Sequence, residues 1–579
     1  MKSLHCRLFG LSRWQHSILL TIAALCTNQA ALAQPSIDFL AEQILRLQDS
    51  VASNPPSGDL TPPPEARLSA APATRLLDLV ERIDVLKKRI SPSAYISVNV
   101  PNALAAARIA YEAYGLGDLD KVFENLKEAA IHLQPSGVAA KDPSIEVLKE
   151  LRRGIAFIAA SVAERVRTVV DAAGVVPTAA ETQLNNGARL LLLSGNYVGA
   201  IGQFWGGMSF AADTITFDID LFEQNIRDAL RGKIIGYAYT IGRDGVSFTE
   251  DGPGSARTYP DSPRADQSPY KEMFIASMSK TISALALLKA LSDAGISVDD
   301  KIDTFLPGDW VPGDGVENLT FRHLLTHTSG LDPSKLSKGG KDGQSFDTLK
   351  TIIEQGTPGI LAFEEAVYTN ANFSLLRILI PRVALGAGVI DNYTNILPPD
   401  EVDEMYAVLY ADYVVNEVLA PAGIDVPDCS PRDDAGSRTL YYNFDSPNNP
   451  GGDFGNWSLE CGAVGWYLSS NELGSLLAHV RYTNEILDEQ TRATMNDGAL
   501  GWLNPIVYAD WVDGVFGIYH AGAGDISDMS KRGMIGCMMN YPIRVEATLV
   551  INSRSSDLDK GGDACVILKE AYDNAWTQH

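Results

Sequence analysis

Two periodicities divide this chain. Up to about Phe210, apolar residues recur every three to four positions, which lines one face of a helix. Residues 36–48 carry this spacing, and so do 74–90, where Leu76, Val80, Ile83, Leu86 and Ile90 form one stripe. Residues 102–133 predict a helical hairpin broken at Gly115-Leu116-Gly117-Asp118. Asp142-Pro143-Ser144 starts a further helix that runs to about Ala173 and stops at Gly174, since proline suits a first turn and glycine ends a last one. Residues 179–210 predict a second hairpin, turning at Ser194-Gly195-Asn196-Tyr197. Near Phe217 the character changes. An amphipathic helix at 220–230 precedes a strand at 233–241, a turn at Arg243-Asp244-Gly245 and a return strand at 246–249. Towards the C-terminus, 533–541 and 546–551 predict antiparallel strands, and 563–576 a closing helix.

A chain of 579 residues exceeds what one hydrophobic core serves, so two or more domains are expected. The Pro/Ser/Ala-rich stretch 54–73 reads as a flexible linker. Ahead of it, Lys2, Arg7 and Arg13, the apolar run 18–25 and the small-x-small site Ala31-Leu32-Ala33 read as a secretory signal cleaved before Gln34. The run is short for a membrane span, so none is expected after signal removal, and the mature protein is expected to be periplasmic or secreted. The division expected is 1–33 signal peptide, 34–215 helical region and 216–579 a second domain. A net charge of −25 repels phosphate backbones and excludes nucleic acid as a partner. Of six cysteines, Cys6 and Cys26 leave with the signal. The even remainder suggests disulfides, and proximity favours Cys429–Cys461 and Cys537–Cys565. With no Cys-x-x-Cys and no nearby histidine pair, these cysteines lack zinc-site spacing. In the helical region, Gly117-Asp118-Leu119 and Gly195-Asn196-Tyr197 sit at matching points of the two hairpins, which distantly resembles tetratricopeptide-type helix pairs. Two copies are too few for a solenoid, and the expected use of this region is docking a protein partner.

The candidate chemistry begins at Phe274-Ile275-Ala276-Ser277-Met278-Ser279-Lys280, a loop entering a helix. Residues three apart share a helix face one turn along, which sets the Lys280 amine beside the Ser277 hydroxyl. A serine hydroxyl needs such a neighbour to act as a nucleophile, and a helix N-terminus supplies free N–H donors where an oxyanion forms. The helix continues through Ala284, Leu287, Leu288 and Leu291 and ends near Gly295. Tyr368-Thr369-Asn370 offers a phenol whose anion an adjacent ammonium stabilises. It also offers an amide to hold a substrate carbonyl or orient Lys280. His323 and His327 lie four residues apart without the His-Glu-x-x-His pattern, so both read as packed, hydrogen-bonded residues. The stretch 462–473 reads as structural, with Gly462 permitting close backbone approach.

Phe274-x-x-Ser277-x-x-Lys280, the run Arg322-His323-Leu324-Leu325-Thr326-His327-Thr328-Ser329-Gly330-Leu331, Tyr368-x-Asn370 and His520-Ala521-Gly522 follow in that order. From about Phe217 onward the chain thereby resembles the serine β-lactamase-related family, which includes class C β-lactamases, D-amino-acid peptidases and related esterases. The resemblance implies an α+β fold: an antiparallel sheet flanked by helices, with a helical subdomain between the first and third motifs. It implies Ser277, Lys280 and Tyr368 as catalytic residues, with Lys280 or Tyr368 as the base. Asn370, His520, Gly522 and Ala523 would bind substrate, the backbone N–H groups of Ser277 and Ala523 forming the oxyanion hole. The substrate would be a small-molecule or peptide ester, amide or lactam, attacked to give an acyl-enzyme, with no metal or organic cofactor. His520-Ala521-Gly522 stands where Lys-Thr-Gly or His-Thr-Gly is usual in the family. Histidine is mostly neutral near pH 7 and alanine has no hydroxyl, so the departure favours an esterase or peptidase over a dedicated β-lactamase. The rival expectation is a non-catalytic penicillin-binding-like receptor or cell-wall scaffold that keeps the fold without turnover.

Overall fold

The computed structural model describes residues 76–578, apart from 333–343, 504–517, 526–531 and shorter stretches of up to four residues. The signal 1–33, the helix at 36–48 and the linker 54–73 lie outside the described residues. The chain forms two compact units. One takes the described residues up to Ala110, Leu119–Phe217 and the residues from Trp576; the other takes Tyr111–Asp118 and Asp218–Ala575.

The first unit is helical. Helices α1 (Val100–Leu116) and α2 (Leu119–His132) form the first hairpin, α3 (Ser144–Ala173) follows, and α4 (Thr178–Arg189) and α5 (Tyr197–Ala212) form the second. Gly174 closes α3 by donating its N–H to the Val170 carbonyl at 2.9 Å. The second hairpin turns at Gly195, and the Asn196 side chain accepts the Gly199 N–H at 3.0 Å, satisfying a donor that a helix start leaves free. Strand β1 (Ile215–Phe217) pairs with the last strand of the chain, Trp576–Gln578. The closing helix therefore stops at Asp573 instead of reaching 576, because Trp576 gains a backbone partner in β1 and packs edge-on against the Phe217 ring at 5.2 Å.

The second unit opens with α6 (Ile219–Leu230), capped by the Asp218 carboxylate, which accepts the Leu221 N–H at 2.9 Å. Its buried stripe is Ile219, Phe222, Ile226 and Leu230. Strands β2 (Tyr237–Arg243) and β3 (Val246–Asp251) form the predicted hairpin, with positive φ at Asp244 and Gly245 as a two-residue hairpin turn requires. β2 starts four residues later than its pattern suggests, because the Lys233 N–H still closes on Leu230 and the Ile235 N–H donates to the Ser553 hydroxyl. The remaining strands of this sheet are β4 (Tyr442–Asn443), β5 (Ile518–Asp525), β6 (Gly533–Asn540), β7 (Val545–Ile551) and β8 (Ser553–Arg554). Their order is β8-β4-β6-β7-β2-β3, with β5 also paired to β6. The sheet is antiparallel except at one edge, where β8 runs parallel to β4. The chain bends there at Asn552, whose amide donates to the Ser255 and Leu440 carbonyls.

Directly paired residues share a face of a sheet. The row Thr240–Thr548–Met538–His520 lies on one face. The next row, Tyr239–Leu549–Cys537–Ala521, lies on the other. Helix α7 (Ser279–Ala294) is buried on every side, with Ile282, Leu285, Leu287, Leu288 and Leu291 all enclosed, as a central helix requires. It packs against α8 (Asn370–Leu385). Helix α9 (Ser470–Tyr482) covers the first face, where the Thr548 hydroxyl donates to the Ser470 carbonyl at 2.9 Å. Helices α6 and α10 (Asp563–Asp573) cover the second: the Tyr239 hydroxyl donates to Glu223 at 2.6 Å and Cys537 is bonded to Cys565. The other disulfide joins Cys429 to Cys461.

Candidate active site

Ser277 sits in a 3-10 turn, Ala276–Met278, just ahead of α7 and not in the α-helix itself. Ala276 takes a φ of 48°, a left-handed conformation that costs a residue with a side chain about 1–3 kcal/mol and needs surrounding structure to hold it. Part of that hold is the Ile275 N–H, which donates to the Trp466 carbonyl at 3.0 Å. The turn lies directly on the sheet. A Cβ at Gly536 would come within 2.7 Å of the Met278 methyl, which would have to turn aside to admit it. Gly522 pairs with Gly536 across β5 and β6, which puts the third motif alongside.

Lys280 follows in the first turn of α7. Its Nζ lies 3.0 Å from Ser277 Oγ and donates to Asn370 Oδ1 at 2.8 Å and to the Ala463 carbonyl at 2.9 Å. It also stands 4.8 Å from the centre of the Tyr368 ring. The side chain is fully buried, and burial pushes its amine well below the usual lysine range. Thr369 caps α8, its hydroxyl accepting the Ala371 N–H at 3.3 Å. That cap sets Tyr368 just before the helix and Asn370 at its first position, both beside Lys280.

His323 is the packed residue expected, its Nδ1 accepting the Thr320 N–H at 3.0 Å to cap a short helix. His327 is also packed and hydrogen-bonded, but it is packed at the site. Its ring lies 4.5 Å from that of Tyr368, its carbonyl accepts the Val367 N–H at 3.0 Å, and its Nδ1 accepts the Thr369 N–H at 3.3 Å. An accepting Nδ1 leaves the proton on Nε2. Burial, then the charge of Lys280, hold this imidazole well below its ordinary range. His520 lies buried on β5 with its Nδ1–H donating to the Ala521 carbonyl at 2.7 Å. Burial, then the Lys280 charge, push it down to about 3 against that bond, so near neutral pH it carries no charge.

The structure thus gathers Ser277, Lys280, Tyr368 and Asn370 into one cluster and lays the strand bearing His520, Gly522 and Ala523 against the Ser277 turn. Sequence reasoning missed two members. One is His327, whose place beside Tyr368 depends on a loop crossing. The other is the Ala463 carbonyl, which lies in the stretch read as structural. A backbone acceptor leaves no side-chain mark; its one signal is Gly462, where a Cβ would meet the Phe373 carbonyl at 2.5 Å.

Sheet, covering helices and serine–lysine centre give the second unit the α+β architecture of the β-lactamase/transpeptidase fold. Residues 222–507 match the family model described as Beta-lactamase. His520-Ala521-Gly522 lies past the matched residues. Among curated proteins, Penicillin-binding protein 4* of Bacillus subtilis (strain 168) is 25% identical over 158 residues, 26% of this chain and 29% of that protein. Protein flp of Staphylococcus aureus (strain COL) is 29% identical over 165 residues, 27% of this chain and 31% of that protein. The chain therefore spans under a third of the length of these relatives. Among solved structures, a class C beta lactamase from Rhodobacter sphaeroides superposes with a TM-score of 0.45 at 15% identity, over 61% of this chain and 98% of that one. A D-amino acid amidase from Ochrobactrum anthropi SV3 does so with a TM-score of 0.42 at 16% identity, over 62% of this chain and 96% of that one.

Proposed function

We propose that this protein is an exported serine hydrolase that opens an ester or amide carbonyl through an acyl-enzyme on Ser277. The observation that carries this reading is the set of partners around Lys280. A neutral amine has two N–H bonds and one lone pair. Asn370 Oδ1 and the Ala463 carbonyl can take the two N–H groups, which leaves the lone pair for the Ser277 hydroxyl at 3.0 Å. Burial favours this neutral form. Ser277 Oγ then bonds to the substrate carbonyl carbon as its proton passes to Lys280 Nζ. The face of the Tyr368 ring, 4.8 Å away, stabilises the ammonium formed. Collapse of the oxyanion expels the leaving group, which takes that proton. Water attacks the acyl-enzyme by the same route, frees the acid and restores Ser277 and Lys280. The backbone N–H groups of Ser277 and Ala523 are the oxyanion donors in this reading.

A neutral His520 puts no cation at the third motif to hold a substrate carboxylate, which supports an esterase or peptidase over a dedicated β-lactamase. Two disulfides and the signal-like N-terminus support a periplasmic or secreted location. Among the described residues, no helix is long and apolar enough to cross a membrane. The helical first unit serves as the docking module in this reading. A fluorophosphonate probe is expected to label the wild type and not Ser277→Ala, and p-nitrophenyl esters to turn over faster than a penicillin. A well-folded wild type that neither labels nor hydrolyses would instead make the protein a receptor or scaffold.

A further inference from the structure

We propose that the Cys429–Cys461 disulfide is a positioning element of the Ser277–Lys280 centre, holding in place the backbone carbonyl on which Lys280 depends. This rests on the serine hydrolase reading above. Three consecutive carbonyls that start at the disulfide accept hydrogen bonds beside the catalytic helix, two of them from α7 itself and one from Tyr410, whose hydroxyl also bonds Ser283 of α7 at 2.6 Å. That of Cys461 accepts the Tyr410 hydroxyl at 3.3 Å, that of Gly462 accepts the Ser283 hydroxyl at 2.6 Å, and that of Ala463 accepts from Lys280 at 2.9 Å. Further along, the Trp466 N–H donates to Ser279 Oγ at 3.3 Å, and the Trp466 carbonyl accepts from Ile275. Residues 461–466 are therefore laced along the first two turns of α7 and the strained turn before it.

This segment lies between a three-residue 3-10 helix and a two-residue strand, so no long element fixes its place. Residues 428 and 429 do so instead. The Cys429 carbonyl accepts the Trp457 N–H at 2.8 Å and the Asp428 carbonyl accepts the Tyr467 N–H at 3.0 Å, one bond on each side of Cys461. The disulfide ties the middle. With it gone, the loop keeps its hydrogen bonds to Tyr410, Ser283, Ser279 and Ile275 but loses its covalent tie to residue 429, and a shift of an ångström breaks the 2.9 Å bond to Lys280. Water would then reach Lys280, relieve the burial that keeps its amine neutral, and raise its pKa towards the usual range. Less of the base would be available at neutral pH.

Cys537–Cys565 is an internal control. It joins β6 to α10 on the face of the sheet away from Ser277, and it closes a separation of 28 residues against 32 for Cys429–Cys461. Loop closure alone predicts nearly equal losses of stability for the two. The test compares C429A/C461A with C537A/C565A in the full chain, well below both melting temperatures. Both pairs are expected to lower Tm. C429A/C461A alone is expected to lose ~10–100-fold in kcat for a p-nitrophenyl ester, with KM little changed. Its acid limb should move to higher pH, and amide hydrogen exchange should quicken across 277–283 and 461–466. Equal kcat, pH limb and exchange in the two pairs would overturn the proposal. If C429A/C461A does not fold, Gly462→Ala keeps the disulfide and forces the same segment off the Phe373 carbonyl; it should reproduce the kcat loss and the pH shift, and an unchanged profile overturns the proposal. Should the wild type turn over no ester, the enzyme reading fails, and the exchange contrast between the two pairs still decides the positioning.

Discussion

Lys280 and Arg382 are both buried cations in the second unit, and their surroundings are opposite. Arg382, inside α8, meets the Asp391 carboxylate at 2.7 Å, the Tyr406 hydroxyl at 3.1 Å and the carbonyls of Phe305 and Leu306. Burial works against its charge, but Asp391 and Tyr406 outweigh it and raise its pKa. Lys280 meets two neutral carbonyl oxygens and a hydroxyl, and burial drives its pKa down. A buried cation matched with a carboxylate stays charged and acts as a structural tie. One given only neutral acceptors is pushed towards its neutral form, which is the form the proposed base requires. Arginine suits the first place because it does not deprotonate in proteins, and lysine suits the second because its pKa moves readily when buried.

This contrast can be broken most sharply at Lys280. Lys280→Ala is expected to slow Ser277 acylation by ~10²–10⁴-fold, the usual worth of a general base. Lys280→Arg should be no better, since a guanidinium supplies charge and no lone pair; near-wild-type acylation in Lys280→Arg would place the base elsewhere. At the other cation the signature reverses. Arg382→Ala empties a buried position and leaves the Tyr406 hydroxyl and the Phe305 and Leu306 carbonyls without this partner, and is expected to cost about 2–5 kcal/mol in denaturant unfolding, while the folded fraction keeps its acylation rate. A matched R382M/D391L pair should recover part of that loss, because methionine refills the space that alanine leaves. The smallest effect tests the neutrality of the cluster through His520. The unfolded imidazole protonates near 6.5 and the folded one only near 3. Between those values the unfolded chain holds the extra proton, so stability falls as pH drops through this window and is fully present above it. His520→Phe should flatten that part of a Tm-against-pH curve; an unchanged slope would mean the imidazole is already charged in the fold.

Local rules carried much of this protein. The two hairpins of the first unit, the stop of α3 at Gly174, the Asp244-Gly245 turn and the start of α8 at Thr369 all follow from periodicity, caps and turn residues a few positions apart. The Ser277–Lys280 contact follows in the same way, from two side chains one helical turn apart. Neighbouring cysteines paired as proximity suggested. Where sequence expectation stopped short, a distant partner had intervened: β1 drew Trp576 out of the closing helix, and β4 met β8 in parallel at the sheet edge.

By itself, then, the sequence determined which candidate residues are local neighbours, because helical and strand spacing act within a few residues of the chain. Only the tertiary structure decided the state those residues adopt. The depth of burial of Lys280, the Ala463 carbonyl 183 residues away that takes one of its hydrogens, and the His327 ring against Tyr368 all come from contacts between remote segments. A backbone oxygen has no identity in the sequence, and a pKa belongs to an environment, so both enter only when the chain has folded.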